Sequence, residues 1–427
     1  MSTKLGARKW IILVMVGLFG QFAWTIENMY FNVFLYNTIS TDPDYIAAMV
    51  AASAAVATLT TLVMGLVSDR LGRRKLFICG GYLLWGLSTA AFGLITPENA
   101  ALLFPGANAV AAAAMLVVLM DCVMTFFGST ANDAAFNAYV TDVTDNSNRG
   151  RVESVLAILP LISMLLIFGL FDGLTQQGRW KEFFGIFGLM VTGAGLLSCV
   201  LIKEERVAKS SGAYFSDLLY GFKPAVIGKN RELYLSFAAF CIFSVAVQVF
   251  FPYLIIYIQN YLGITDYAII LGVVLILASV VSVVSGRFID RLGKLRFAFP
   301  AAAVMLLGLG GMYFVRKASG VMIAGTVMMS GYMMMSAALG ANIRDWTPKD
   351  RAGHFQGIRM VFAVLLPMLI GPAIGAAVIK NSNSTYIELG QVKTVPSPEI
   401  YIAAAAVLIL SFIPVLLLVR KKTDDRI

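Results

Sequence analysis

Three carboxylates stand inside long apolar stretches of this 427-residue chain: Glu27, Asp121 and Asp133. A carboxylate at mid-membrane depth costs at least about 2.5 kcal/mol, so such residues face a cavity, a partner or an ion path. The chemistry they offer is proton exchange, because burial penalises the charged form of a carboxyl group. Coupling of solute movement to a cation is expected at these three positions. Glu27 borders a polar face: at about 100° per residue, Gln21, Trp24, Asn28 and Asn32 share one side of a helix, and Tyr30 adds a second aromatic ring. Amides, a carboxylate and aromatic surface suit a sugar ring, whose C–H face stacks while its hydroxyls hydrogen-bond. Asn132, Asp133 and Asn137 form a second polar patch, the last two one turn apart. At 1.5 Å per residue Asp121 lies about 18 Å from Asp133, too far for one small solute to touch both. The two acids therefore have different roles, with Asp121 open to a structural hydrogen-bonding one.

The second half of the chain carries less charge in its apolar stretches. Gln248 and Tyr253 are candidate solute contacts, with Tyr257 nearby, around Pro252, whose missing N–H distorts a helix near a gate. Arg359 is placed to pair with Asp133, to reach a solute, or to snorkel as an anchor. Met328, Met329, Met333, Met334 and Met335 read either as ordinary packing or as an adaptable wall, and Gly371-Pro372 as a hinge. Cys79, Cys122, Cys199 and Cys241 have no Cys-x-x-Cys spacing and read as small core residues. The single histidine, His354, reads as a loop residue, so no metal site is expected. No phosphate-binding Gly-x-x-x-x-Gly-Lys sequence occurs, which argues against ATP hydrolysis and leaves an ion gradient or downhill movement as the driving force. No organic cofactor is implied.

The elements that must hold these residues announce themselves by a repeat. Gly-Leu-Val-Ser-Asp-Arg-Leu-Gly-Arg-Arg-Lys, from Gly65 to Lys75, recurs as Gly-Arg-Phe-Ile-Asp-Arg-Leu-Gly-Lys from Gly286 to Lys294, 221 residues later. A charged turn repeated once per half signals a duplicated membrane unit. Gly65 is expected to let neighbouring helices approach, Gly72 lies in the turn, Asp69 to face a helix N-terminus, and Arg70, Arg73 and Arg74 to pair with acids on adjoining inner loops; Asp290 and Arg291 repeat the pattern. A plain positive-inside anchor is the alternative. Asp142-Val-Thr followed by Arg149 parallels Asp345-Trp-Thr followed by Arg351, as inner-gate or capping residues.

Composition fixes the class. Hydrophobic residues make up 59% and charged residues 13%, against roughly 45–50% and 25% in soluble domains, so the chain is an integral membrane protein. The net charge of +9 is distributed between apolar stretches, which excludes a nucleic-acid-binding face. Twelve stretches have the length of about 20 residues that a bilayer demands: 10–37, 44–67, 75–96, 107–141, 153–172, 183–202, 233–261, 266–289, 296–315, 320–343, 357–380 and 400–419. With the N-terminus inside, 27 of the 33 lysines and arginines fall in inner segments, which puts both termini in the cytoplasm. The first stretch is too long for a signal-peptide core and is expected to stay as a helix. The expected organisation is a six-helix bundle over 1–202, a cytoplasmic linker over 203–232 and a second bundle over 233–427.

On the repeated turns, their spacing and the twelve spans, the chain resembles the major facilitator superfamily over essentially its whole length. The resemblance implies an all-α fold of two pseudo-symmetric bundles, with the turns acting as conformational latches. Within that superfamily the segment from Asn132 to Thr144 is similar to that of the glycoside-pentoside-hexuronide cation symporters, including the melibiose carrier. There the aspartate at the position of Asp133 contacts sugar, and cation-binding aspartates lie on the second helix. Here those positions read Ala57 and Thr61, and the first-helix aspartate position reads Gln21, so a proton is the expected coupling ion in place of sodium. The implied function is proton-coupled uptake of a sugar or glycoside by alternating access, with solute held among the first, fourth, seventh and tenth helices. Export or carriage of an amphiphile such as a drug or lysolipid is the alternative, and a non-transporting receptor a more distant one. A cell-membrane monomer needing only its solute and the bilayer is expected.

Overall fold

The computed structural model describes residues 5–144, 149–203, 220–347, 355–382, 384–388 and 391–424. Among them, 12 helices are long and apolar enough to cross a membrane: α1 Ala7–Ile39, α2 Pro43–Ser68, α3 Arg74–Leu94, α4 Ala109–Val143, α5 Val155–Gln176, α6 Trp180–Leu201, α7 Arg231–Tyr261, α8 Tyr267–Ser285, α9 Lys294–Phe314, α10 Ala318–Trp346, α11 Gly357–Ser382 and α12 Glu399–Arg420. The all-helical membrane fold expected from the sequence is what the chain adopts. One addition breaks it: between α11 and α12 the strands Thr385–Glu388 and Gln391–Thr394 pair antiparallel, Thr385 opposite Thr394. Thr385, Tyr386, Ile387, Val392 and Thr394 favour extended backbone, a signal too short to register beside spans of twenty residues.

The chain divides into two compact units, Met1–Ser40 with Ala52–Gly212, and Thr41–Ala51 with Ala213–Ile427. Lipid supplies no hydrophobic drive between helices, so each unit is held by close approach of backbones at small residues. In the first unit a Cβ on Gly86 of α3 would come within 2.4 Å of the Thr192 backbone nitrogen of α6, and one on Gly188 within 2.6 Å of the Gly86 carbonyl. In the second, Gly308 of α9 and Gly331 of α10 do the same, at 2.2 Å from the Met328 nitrogen and 2.3 Å from the Met305 nitrogen. Met328, Met329, Met334 and Met335 are buried in that unit, in keeping with packing.

The duplicated turns have matching geometry. Gly72 and Gly293 both take left-handed backbone, φ 62° and 82°, and each N–H closes its helix on a carbonyl four residues back, Ser68 and Ile289, at 3.0 Å. Just beyond, Arg74 Nε meets Asp142 Oδ2 at 3.1 Å, and in the second unit Lys294 Nζ meets Asp345 Oδ2 at 2.6 Å. The paired aspartates are those of the second, weaker repeat. Arg74 also donates to the Ser68 hydroxyl. Gly65 differs from expectation: a Cβ there would meet open space, so it mediates no close approach. Arg70, Arg73 and Arg291 are exposed. The expected contacts of the Asp69, Arg149 and Asp290 side chains, and the position of His354, lie outside the described residues.

Several spans are not uniformly α-helical. α1 widens to π-helical turns at Ile26–Tyr30 and Leu35–Ile39, α4 at Ser129–Phe136, α5 at Ile167–Phe171, α7 at Tyr257–Tyr261 and α11 at Val361–Leu365. Such turns concentrate at functional sites. Glu27 and Asp133 both lie in one.

Candidate functional site

The polar residues of the first unit gather along one face of α4. Asp121, Thr125, Ser129, Asp133 and Asn137 follow one another at intervals of four, so successive members are neighbours on the helix surface. At the upper end, Thr125 Oγ1 donates to Glu27 Oε1 of α1 at 3.0 Å, and Ser53 of α2 donates to Asp121. Glu27 is 8% and Asp121 1% exposed. Farther along, Ser129 Oγ donates to Asp133 Oδ2 at 3.2 Å and Asn132 Nδ2 to Oδ1 at 3.4 Å. Asp133 is half-buried and Asn137, which donates to the Asp133 carbonyl at 3.1 Å, is exposed.

Beside this lower group lies a cavity of about 250 Å³ within the first unit, lined by Gly17 and Gln21 of α1, Asn132, Phe136 and Asn137 of α4, and Leu156, Ala157 and Leu159 of α5. It is near the small end of ligand pockets. Its composition, three amides on an apolar wall, can orient a small polar solute through hydrogen bonds. Three sequence-predicted residues, Gln21, Asn132 and Asn137, thus share one cavity. Asn132 is fixed from behind, its Oδ1 accepting from the Tyr82 hydroxyl of α3 at 3.0 Å, while Tyr82 also donates to the Val16 carbonyl at 2.8 Å. Gly20 makes room for this arrangement: a Cβ would fall 2.5 Å from the Tyr82 hydroxyl and 2.7 Å from Asn132 Oδ1. Tyr82 carries no sequence signal beyond an aromatic in an apolar span, which reads as packing.

Other predicted contacts are placed differently. Tyr30 is fully buried and donates to Asp172 Oδ1 of α5 at 2.9 Å, so it offers no surface to a solute. Asp172 is a fourth intramembrane acid that the sequence reading passed over. Near the end of its stretch it looks interfacial, yet it is 2% exposed and also accepts from Gln176 Nε2 at 2.7 Å and Thr175 Oγ1 at 3.4 Å. Asn28 and Asn32 turn back on their own helix, donating to the Trp24 and Asn28 carbonyls at 2.8 and 2.9 Å. Asn28 is exposed and Asn32 buried. Trp24 leans on Trp85 of α3, ring centroids 4.9 Å apart, over Gly128, where a Cβ would meet Trp85 at 2.7 Å.

In the second unit Gln248 is half-buried, packed on Gly371, where a Cβ would lie 2.4 Å from its own Cβ. Tyr253 is fully buried and donates to the Pro372 carbonyl at 2.9 Å. Gly371-Pro372 is therefore a close contact of α11 with α7, where a hinge was expected. Arg359 is exposed near the start of α11. Lys380 pairs with Asp42 at 3.3 Å and with Asp44. Among the described residues no cluster of three or more His, Cys, Asp or Glu side chains has metal-binding geometry.

Comparison with known proteins places this arrangement. The profile of the Major Facilitator Superfamily matches residues 13–338. No curated protein sequence matches the chain. Among solved structures, a mutant of the nucleoside transporter NupG superposes with a TM-score of 0.71 at 11% identity, covering 96% of this chain and 98% of the other. A bacterial homolog to the human lysosomal transporter Spinster, solved inward-facing and unoccupied, superposes with a TM-score of 0.68 at 12% identity, covering 99% of each chain. Identities this low establish the shared fold alone.

Proposed function

Because the chain belongs to the Major Facilitator Superfamily and is a multi-pass membrane transporter of a small molecule, we propose that it takes up a sugar or glycoside by proton-coupled symport through alternating access. The observation that carries the substrate class is the cavity lined by Gln21, Asn132 and Asn137 beside Asp133. Amide groups both donate and accept, and Asp133 accepts, a combination that matches the hydroxyls of a sugar. Nucleosides, carried by the NupG relative, are N-glycosides and fall in the same chemical class. The three amides on the cavity wall favour a hydroxyl-bearing solute over a lysolipid, whose chain has no use for them. Glu27, Asp121 and Asp133 supply the acids for coupling. The lysine and arginine distribution supports cytoplasmic termini in the cell membrane.

Uptake of radiolabelled sugars, glycosides, nucleosides and a lysolipid into proteoliposomes tests the reading, under imposed proton or sodium gradients. Proton-driven accumulation of a sugar or glycoside is expected, with Asp133→Asn raising KM at least about tenfold, the loss of one charged hydrogen bond, and Gln21→Ala about two- to tenfold, the loss of a neutral one. Accumulation of the lysolipid alone, or of any solute under a sodium gradient alone, would refute it.

A further inference from the structure

We infer that Cys79 and Cys199 form a redox modification site, two thiols that a hydroperoxide closes into a disulfide joining α3 to α6 within the first unit. The pair lies outside the lining of the solute cavity and takes no part in the proposed coupling. In the sequence the four cysteines have no paired spacing. The structure separates two of them from the others: the thiols of Cys79 and Cys199 are hydrogen-bonded to each other, whereas among the described residues Cys122 and Cys241 interact with no other thiol.

That hydrogen bond is the last rung of a ladder. Running down α3 and up α6, Ala90 meets Gly188, Gly86 meets Thr192 and Leu83 meets Gly195. A Cβ added at those glycines would fall 2.8 Å from the Ala90 nitrogen, 2.4 Å from the Thr192 nitrogen and 2.8 Å from the Leu83 nitrogen. Each step along one antiparallel helix is matched by an equal step along the other, and one further turn from Leu83 and Gly195 brings Cys79 opposite Cys199. A disulfide needs Cα atoms within about 7 Å and Cβ vectors that converge. Backbones in contact supply the first and the thiol hydrogen bond the second. Packing alone asks only for a small side chain at such a rung, as Ala90 and Thr192 show; sulfur on both sides adds chemistry.

Cys199 is half-buried near the end of α6 at Leu201, and Cys79 is buried, so an oxidant meets Cys199 first. Its sulfur attacks the hydroperoxide: an S–O bond forms, the O–O bond breaks, water or an alcohol leaves, and Cys199 becomes a sulfenic acid. The Cys79 sulfur then attacks that sulfur; the S–S bond forms, the S–O bond breaks, and the departing hydroxide takes the Cys79 proton as water. With hydrogen peroxide, two thiols and one oxidant give one disulfide and two waters, the sulfurs losing the two electrons that the O–O bond gains. Exchange with a dithiol reverses the closure. The pair sits toward the Gly72 turn, at the end that the lysine and arginine distribution assigns to the cytoplasm. Thiols are kept reduced there, so the bond forms under oxidative challenge and not at rest. Both sulfurs belong to the first unit, so the bond staples that unit.

The test needs no solute. Purified full-length protein in detergent is treated with hydrogen peroxide, cleared of it, denatured and labelled with a maleimide. The chain has four cysteines, so four labels are expected before treatment, two after it and four again after dithiothreitol, with a peptide joining Cys79 to Cys199 in a non-reducing digest. Four labels after peroxide, a link through Cys122 or Cys241, disulfide-linked dimers in place of the internal bond, or a loss of label that dithiothreitol does not restore overturns the site. The single variants fix the order of attack. Cys79→Ser should carry a sulfenic acid at Cys199 that dimedone captures, and Cys199→Ser should keep its remaining thiols; capture at Cys79 overturns the order. Oxidised wild type should melt at least about 2 °C above the reduced form, an effect absent from both variants; an equal or lower temperature overturns the staple. Should a variant fail to fold, the wild-type label count and digest carry the test of the site by themselves.

Discussion

Breaking the ion pair between Arg74 and Asp142 should cost measurably more than breaking its counterpart between Lys294 and Asp345. In the first unit the Arg74 side chain is 10% and Asp142 25% exposed, at 3.1 Å, and Arg74 also donates to Ser68. A charge-assisted hydrogen bond is worth about 1.5–3 kcal/mol; discounting for the partly exposed aspartate leaves about 1–2 kcal/mol of coupling. Lys294 and Asp345 are 30% and 55% exposed, which puts that pair among exposed ones worth about 0.2–1 kcal/mol despite its 2.6 Å separation. Two double-mutant cycles measure both, Arg74→Gln with Asp142→Asn and Lys294→Gln with Asp345→Asn, by reversible unfolding in mixed micelles. A coupling energy for Arg74 and Asp142 within about 0.3 kcal/mol of zero, or a larger one for the second pair, refutes the reasoning that burial decides the strength. If the turns also act as gates, Arg74→Gln lowers turnover at unchanged KM in the same preparation.

Gly331→Val, which would drive a Cβ to 2.3 Å from the Met305 nitrogen, should destabilise the second unit by at least about 1–3 kcal/mol, seen as a lower melting temperature in detergent; an unchanged temperature would mean that α9 and α10 separate freely. Gly72→Ala, at φ 62°, should cost about 1–2 kcal/mol by the same assay. Tyr30→Phe should lose about 1–3 kcal/mol of stability by removing a donor from Asp172, with solute KM unchanged; a raised KM would return Tyr30 to the solute site. Lys380→Met should change stability by less than about 1 kcal/mol, since Lys380 is 44% and its partners 44% and 62% exposed, and the effect should vanish at about 1 M salt.

The twelve spans were legible because a bilayer imposes one length and one composition on every helix that crosses it. The paired latches were half legible. Repetition identified the turns, the aspartates after α4 and α10, and Arg74 as one of three candidate partners, but not which of the three takes Asp142 nor that Lys294 takes Asp345, because one residue's shift around a helix end exchanges Arg73 for Arg74. Helical periodicity at 100° per residue puts Asn32 beside the face of Gln21 but turns Tyr30, nine residues on, to the opposite side, which is where the structure holds it, on Asp172; its aromatic ring, not its angle, made it a solute candidate. Tyr82 and Gly20 were invisible for another reason: each matters only through a residue on a different helix, and spacing along one chain segment carries no record of such a contact.

Duplication preserved the scaffold and not the chemistry. Both units keep the left-handed glycine, the basic residue after it, the aspartate that pairs with it and the glycines that let backbones touch. The buried carboxylates are not repeated. Among the described residues Glu27, Asp121 and Asp172, the carboxylates with less than a tenth of their surface exposed, all lie in the first unit, and Asp133 joins them there. The difference follows from what each feature costs. A small residue or a surface ion pair burdens neither copy, so both keep it. A buried acid in an apolar bundle penalises folding wherever it stands. On the proposed coupling, one cation per solute needs only one site, so the acids are held in one copy, and the second unit carries aromatic and amide groups such as Tyr253 and Gln248.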